Sequence, residues 1–166
     1  MSVRPILSWP DPILRKVCTP VRGDVRDLVA DLFETMYDAP GRGLAAPQIG
    51  VDLRVFVIDC SWKEGAAAPL ACINPEIVAA SDEQAGGEEA CLSIPGVAAE
   101  VIRPAEITLR FLDPDGAMQA RHLTGIEAKC AQHELDHLDG KVIFDRLPHD
   151  AAEQLEATYR AALPVR

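Results

Sequence analysis

Residues 124–140 read TGIEAKCAQHELDHLDG. Within them His133-Glu134-Leu135-Asp136-His137 sets two histidines four residues apart. That is just over one helical turn, so in a helix both imidazoles leave the same face and can share one metal ion. Glu134, next to the first histidine, can reach a water on that ion without being a ligand. The helix has readable ends. Thr124 with Glu127 three residues on is the pattern of a capping box, and Gly140 after Asp139 supplies a left-handed stop. Ile126, Lys129, His133 and His137 share a narrow sector, with Cys130 beside it. Such a pentad also arises by chance, so the rest of the chain must supply the remainder of a site.

A metal held by two histidines needs a third protein ligand, with a fourth position left open if the site is catalytic. Two kinds of candidate compete. A downstream carboxylate, Glu153 or Glu156, would give the donor set of a zinc peptidase. The thiol of Cys91 would give one cysteine and two histidines. Residues 88–96 (EEACLSIPG) mix acid, thiol and hydroxyl ahead of a turn, polar company that a structural core cysteine does not need. Residues 41–50 (GRGLAAPQIG) read either as a tight turn before a strand or as a small-residue loop that lets something approach its backbone.

Around these segments, Val25, Leu28, Val29, Leu32 and Met36 recur at helical spacing and predict a helix over 24–36. Residues 53–59 (LRVFVID), 70–78, 106–112 and 118–123 predict strands, the last two joined by the turn Asp113-Pro114-Asp115-Gly116. Residues 65–69 and 80–87 read as loops, and a last helix is expected over 149–162. Strands in the middle with helices at both ends predict an α+β domain of antiparallel pairs.

The chain has 166 residues, a length that suits one domain, here 1–166, with a core needing no staples. The formal net charge of −10 repels phosphate backbones, which argues against nucleic acid as a direct partner. No stretch approaches the ~20 apolar residues of a membrane helix, and the first ten residues lack the apolar core of a signal peptide. The expected location is cytoplasmic. Five cysteines at irregular spacing (Cys18, Cys60, Cys72, Cys91, Cys130) read as free thiols, most of them core filler. His122 and His149 read as surface or structural histidines.

Taken together, the motifs resemble those of the peptide deformylases, over nearly the whole chain. Residues 7–15 (LSWPDPILR) are similar to the family's N-terminal segment. GLAAPQIG at 43–50, EACLS at 89–93 and QHELDHL at 132–138 are similar to its three motifs, in order. The resemblance implies a small α+β domain, with antiparallel sheets around a buried metal-binding helix, that removes formate from N-formyl-methionyl peptides. It implies Cys91, His133 and His137 as ligands of one divalent ion, expected to be Fe2+ in the cell, with Zn2+, Ni2+ or Co2+ able to take its place. It implies Glu134 as the proton carrier, and the Gln48 amide and Leu92 N–H as donors to the developing oxyanion. Arg42, Gly43, Glu89, Ala90 and Lys129 are the positions expected along the substrate.

The chain departs from the family pattern in those substrate positions. Ala90 stands where the second motif usually has glycine, and Gly87 where a larger apolar residue is common. Arg42 and Lys129 replace residues that are commonly aliphatic in the methionine pocket. Two readings follow. Either their apolar stems line the pocket while their charges reach water, or the two cations select a different, anionic N-formyl compound. The C-terminal segment carries Asp150, Glu153 and Glu156 against Arg160 and Arg166. The basic, ribosome-docking helix common in bacterial relatives is therefore not expected.

Overall fold

A computed structural model of the chain describes residues 2–164; Arg166 lies outside the described residues. Among the described residues, seven strands and three α-helices follow one another. They are α1 (Arg26–Asp38), β1 (Gly43–Ala45), β2 (Val55–Ile58), β3 (Leu70–Ala80), β4 (Gln84–Cys91), β5 (Ile94–Pro104), β6 (Glu106–Leu112), β7 (Met118–Thr124), α2 (Gly125–Leu138) and α3 (His149–Ala161). β1-β2-β3-β6-β7 form a five-stranded sheet in that order, and β4-β5 form a separate hairpin. Every pair is antiparallel.

The alternation along β2 explains how the sheet is covered. Phe56 and Ile58 join Ile107, Leu109 and Leu123 against Ala128, Ala131, Leu135 and Leu138 of α2. Val55 and Val57, on the other side of the pleat, pack with Val29, Leu32 and Met36 of α1. The strand is therefore buried on both faces, at about 1.5–3 kcal/mol per fully buried large apolar side chain. A third cluster seats the hairpin. Cys91, Ile94, Ala99 and Val101 pack with Trp9, Phe144 and Tyr159 of the N- and C-terminal segments. The Tyr159 hydroxyl donates to the Trp9 carbonyl at 2.6 Å and locks α3 in place.

Two expectations need correction. The loop expected over 80–87 is confined to 81–83: β3 runs to Ala80 and β4 starts at Gln84. The Gly86-Gly87 pair hides a strand that composition alone disfavours. Thr124 does occupy the N-cap of α2, but its side chain makes no capping bond. Gly125, at φ 55°, turns β7 straight into the helix instead. Asp136, inside the pentad, is buried. The stop at Gly140 holds, at φ 73°. A Cβ there would also strike the Arg15 carbonyl, so glycine is required twice over.

Candidate metal centre

The sheet and the hairpin approach each other across α2, and the site lies at their junction. α2 is buried along its C-terminal half, so Gln132 to Leu138 all sit below the surface. On the hairpin, the register slips between Ala90 and Cys91, a bulge at the end of β4 that presents the Cys91 thiol to the helix. The Cys91 Sγ lies 3.3 Å from His137 Nε2. Donor atoms of Cys91, His133 and His137 all fall within 4.8 Å of one another. That is close to the spread one cation gathers at bond lengths of about 2.0–2.3 Å, and one thiolate with two imidazoles suits a borderline-soft divalent ion. The residues fit a single metal.

Electrostatics agree with the geometry. Burial pushes the Cys91 thiol up, but the imidazoles of His137 and His133 more than offset this and bring it to about 5, so it stands as thiolate. Burial pushes the Glu134 carboxyl above its ordinary value, against the opposing pull of His133 and His137. A carboxyl raised in this way beside a metal site holds a proton more readily than a free one, as a group that accepts and returns a proton must. Its Oε2 lies 4.0 Å from His133 Nε2. Gly43 makes room for it, since a Cβ at that position would fall 2.7 Å from the same oxygen.

His133 is oriented from behind by Glu89, whose Oε1 lies 3.0 Å from its Nδ1, leaving Nε2 for the metal. Arg103 holds Glu89 with two bonds, Nε to Oε2 at 2.7 Å and Nη2 to Oε1 at 2.9 Å. Its Nη1 donates to Asp136 at 2.9 Å, and Asp136 is gripped in turn by Arg146 at 2.9 and 2.5 Å. The result is a buried ladder, Arg146–Asp136–Arg103–Glu89–His133. Gln48 is fixed the same way: its Oε1 accepts from the Ala45 N–H at 2.9 Å and its Nε2 donates to Ser93 Oγ at 3.0 Å. That orientation leaves Nε2 3.7 Å from the Cys91 sulfur, with the amide N–H side facing the site.

The comparisons with known proteins come down on one family. The sequence model of polypeptide deformylases matches residues 3–153. The chain belongs to this family. A peptide deformylase of Rhizobium meliloti (strain 1021) is 49% identical over 148 residues, which cover 87% of this chain and 85% of the relative. One from Rhizorhabdus wittichii is 50% identical over 155 residues, 89% and 88% of the two chains. Among solved structures, the peptide deformylase of Thermus thermophilus superposes with a TM-score of 0.90 at 38% identity, covering 96% of this chain and 95% of that one.

Arg42, Gly43, Ala90, Leu92 and Lys129 line an open cleft of about 550 Å³ beside the metal residues. Glu89 reaches that cleft too, with its carboxylate turned to Arg103 and His133. Arg42 pairs with Glu64 at 2.6 Å, and Lys129 donates to the Glu88 carbonyl at 2.7 Å. The competing carboxylates are elsewhere: Glu156 accepts from the Trp9 indole at 3.0 Å, and Glu153 faces His149. His122 sits exposed beside Glu106. None of the five cysteines is in a disulfide.

Sequence reasoning missed Arg103, Arg146 and Ser93. Arg103 had a signal. Ala99, Val101 and Arg103 share the inward side of β5, so an arginine follows two apolar residues at core positions. Such a cation requires buried carboxylates. Arg146, at a helical turn far along the chain, carried none.

Proposed function

We propose that the protein removes the N-formyl group, as formate, from N-formyl-methionyl peptides of nascent proteins, with Cys91, His133 and His137 holding one divalent ion. The protein is a hydrolase of an amide bond other than a peptide bond. The observation that carries the reading is the buried cysteine–histidine–histidine cluster with Glu134 packed against it. The ion, when bound, polarises the formyl carbonyl and lowers the pKa of water toward neutrality.

Every other part is supplied by the chain. Glu134 takes the proton of the attacking water and delivers it to the departing amine nitrogen, so that formate and a free N-terminus result. Gln48, held by Ala45 and Ser93, aims its amide N–H at the oxygen on which charge develops, and the Leu92 N–H is its partner donor. The ladder through Arg103 keeps His133 from turning, which fixes the angle from which Glu134 acts. Gly43 leaves backbone and carboxylate room to meet the formyl end.

Ferrous iron is the proposed metal, with zinc, nickel or cobalt able to take its place, because one thiolate and two imidazoles accept each of them and supply decides among them. Among the described residues no helix is long and apolar enough to cross a membrane, and action on nascent chains supports a cytoplasmic location. The acidic face of α3 (Asp150, Glu153, Glu156) supports action without ribosome docking through that helix. The peptide is favoured over a different, anionic N-formyl compound because the Arg42 charge is paired with Glu64 and the cleft keeps apolar lining in Leu92, Ile94 and Val97.

The test is formate release from formyl-Met-Ala-Ser by protein purified without oxygen and loaded with ferrous iron. Release that falls at least about 10³-fold in Glu134→Ala is the expected result. Negligible release from fully metallated protein would overturn the reading.

A further inference from the structure

The cleft carries positive charge that the protein leaves open. Lys63, Arg42 and Lys129 line it together with Glu88, Glu89 and Glu134, and the Glu89 carboxylate is taken up by Arg103 and His133. Arg42 is neutralised by Glu64. Lys129 is not: it is half-buried, and among the described residues its ammonium makes no ion pair. Its one bond is to the Glu88 carbonyl, which fixes its direction and leaves two N–H groups unused.

The neighbouring backbone is shaped for this arrangement. A Cβ at Gly87 would lie 2.9 Å from Lys129 Nζ, so the glycine is what lets the lysine lie along β4. A partly desolvated cation without a counter-charge is unfavourable, and an anion brought by a ligand relieves it. Lys63, exposed at the mouth of the same cleft and also without an ion pair among the described residues, adds a second positive charge. The apolar part of the lining, Leu92, Ile94, Val97 and Ile126, remains for a methionine side chain.

We infer that the cleft selects N-formyl-methionyl peptides with an acidic side chain in the two residues after methionine, through a salt bridge to the pre-positioned Lys129. The inference rests on the deformylase reading and narrows its substrate. The methionine keeps its apolar seat, and the acidic group lies against the Lys129 ammonium.

The experiment compares kcat/KM for formyl-Met-Glu-Ser-amide against formyl-Met-Gln-Ser-amide, and for formyl-Met-Ala-Glu-amide against formyl-Met-Ala-Gln-amide. Amidation removes the terminal carboxylate as a rival charge. At low salt the glutamate peptide of at least one pair is expected to win by roughly fivefold, the scale of one partly exposed ion pair. That ratio should fall toward one in about 0.5 M salt, where such a pair is screened. It should also fall toward one in Lys129→Met, and return in Lys129→Arg. Because each ratio is internal to one protein, a loss of folded material in a variant leaves it intact, and the salt arm needs no variant. Ratios of one or less at both positions in the wild type would overturn the inference, as would ratios unmoved by salt or by Lys129→Met. Hydrolysis of the glutamine peptides with no gain from glutamate sinks the inference alone. No formate from any peptide sinks the deformylase reading with it.

Discussion

Replacing Arg103 with methionine tests the buried ladder that positions His133. The guanidinium is 6% exposed and donates three bonds, two to Glu89 and one to Asp136. Methionine fills much of the same volume but leaves two buried carboxylates short of a cation. Removing one partner of a buried pair costs about 3–5 kcal/mol. Here the lower end applies, because Asp136 keeps both bonds from Arg146 and Glu89 keeps His133. The expected loss is therefore about 3 kcal/mol, a drop of roughly 1.5 M in the urea midpoint for a slope near 2 kcal/mol/M. Metal-free protein is the material to use, so that ligation does not mask the change. The second readout is metal affinity, expected to fall by about 10–100-fold as His133 loses its fixed ring. Arg103→Met with Glu89→Gln removes the stranded charge and should recover about half of the stability but not the metal affinity. A midpoint shift under about 0.5 M in the single variant, on the same slope, would refute the argument that the ladder is a stabilising ion network.

Cys91→Ser should lose its ion on dialysis, as read by metal analysis of the purified protein, because the thiolate is one of three donors; stoichiometric retention would return the third ligand to a carboxylate. Gly43→Ala places a Cβ 2.7 Å from Glu134 Oε2 and must displace the carboxylate. Formate release should drop about 100-fold with the far-ultraviolet spectrum unchanged, and a drop under threefold would show that Glu134 needs no such room. Burial, aided by the bond from its hydroxyl to Asp59, pushes the Tyr37 phenol up to about 12. Its raised value means a contribution present below about pH 10 and lost as pH rises toward 12, so urea midpoints should fall over that range in the wild type. Tyr37→Phe should be less stable at pH 8 and flatter above it; an unchanged slope would remove Tyr37 from the account.

The parts of the fold written in periodicity were open to reading. Val55 to Ile58 is a run of β-branched and aromatic residues buried on both faces, and 106–112 alternates, so both were expected as strands. The hairpin of β4 and β5 was not. Its first strand is Gln84-Ala85-Gly86-Gly87-Glu88-Glu89, a composition that strand propensity disfavours. What holds it is pairing with the next strand, β5, from Gln84↔Pro104 to Ala90↔Ala98, a contribution that strand propensity does not count. The site divides along the same line. Cys91, His133, Glu134 and Gln48 sit in short motifs, whereas Arg103 and Arg146 act through contacts 14 and 10 residues away in sequence or more.

The most telling stretch is Gln132 to His137, five polar residues in six at buried positions of a helix. Burying so many polar groups is unfavourable unless each finds a partner. Gln132 donates to the carbonyls of Pro104 and Ala128, His133 uses Glu89, and Asp136 is held by two arginines. Two side-chain atoms on this stretch stay unpartnered among the described residues, Glu134 Oε1 and His137 Nδ1. Each costs about 1–3 kcal/mol. One belongs to the proposed proton carrier and the other to a proposed metal ligand, so the deficit is confined to the residues assigned to the chemistry. A helix selected for stability alone would have placed leucine or alanine there. The helix instead satisfies its structural polar residues completely and leaves the carboxylate of its base free to act.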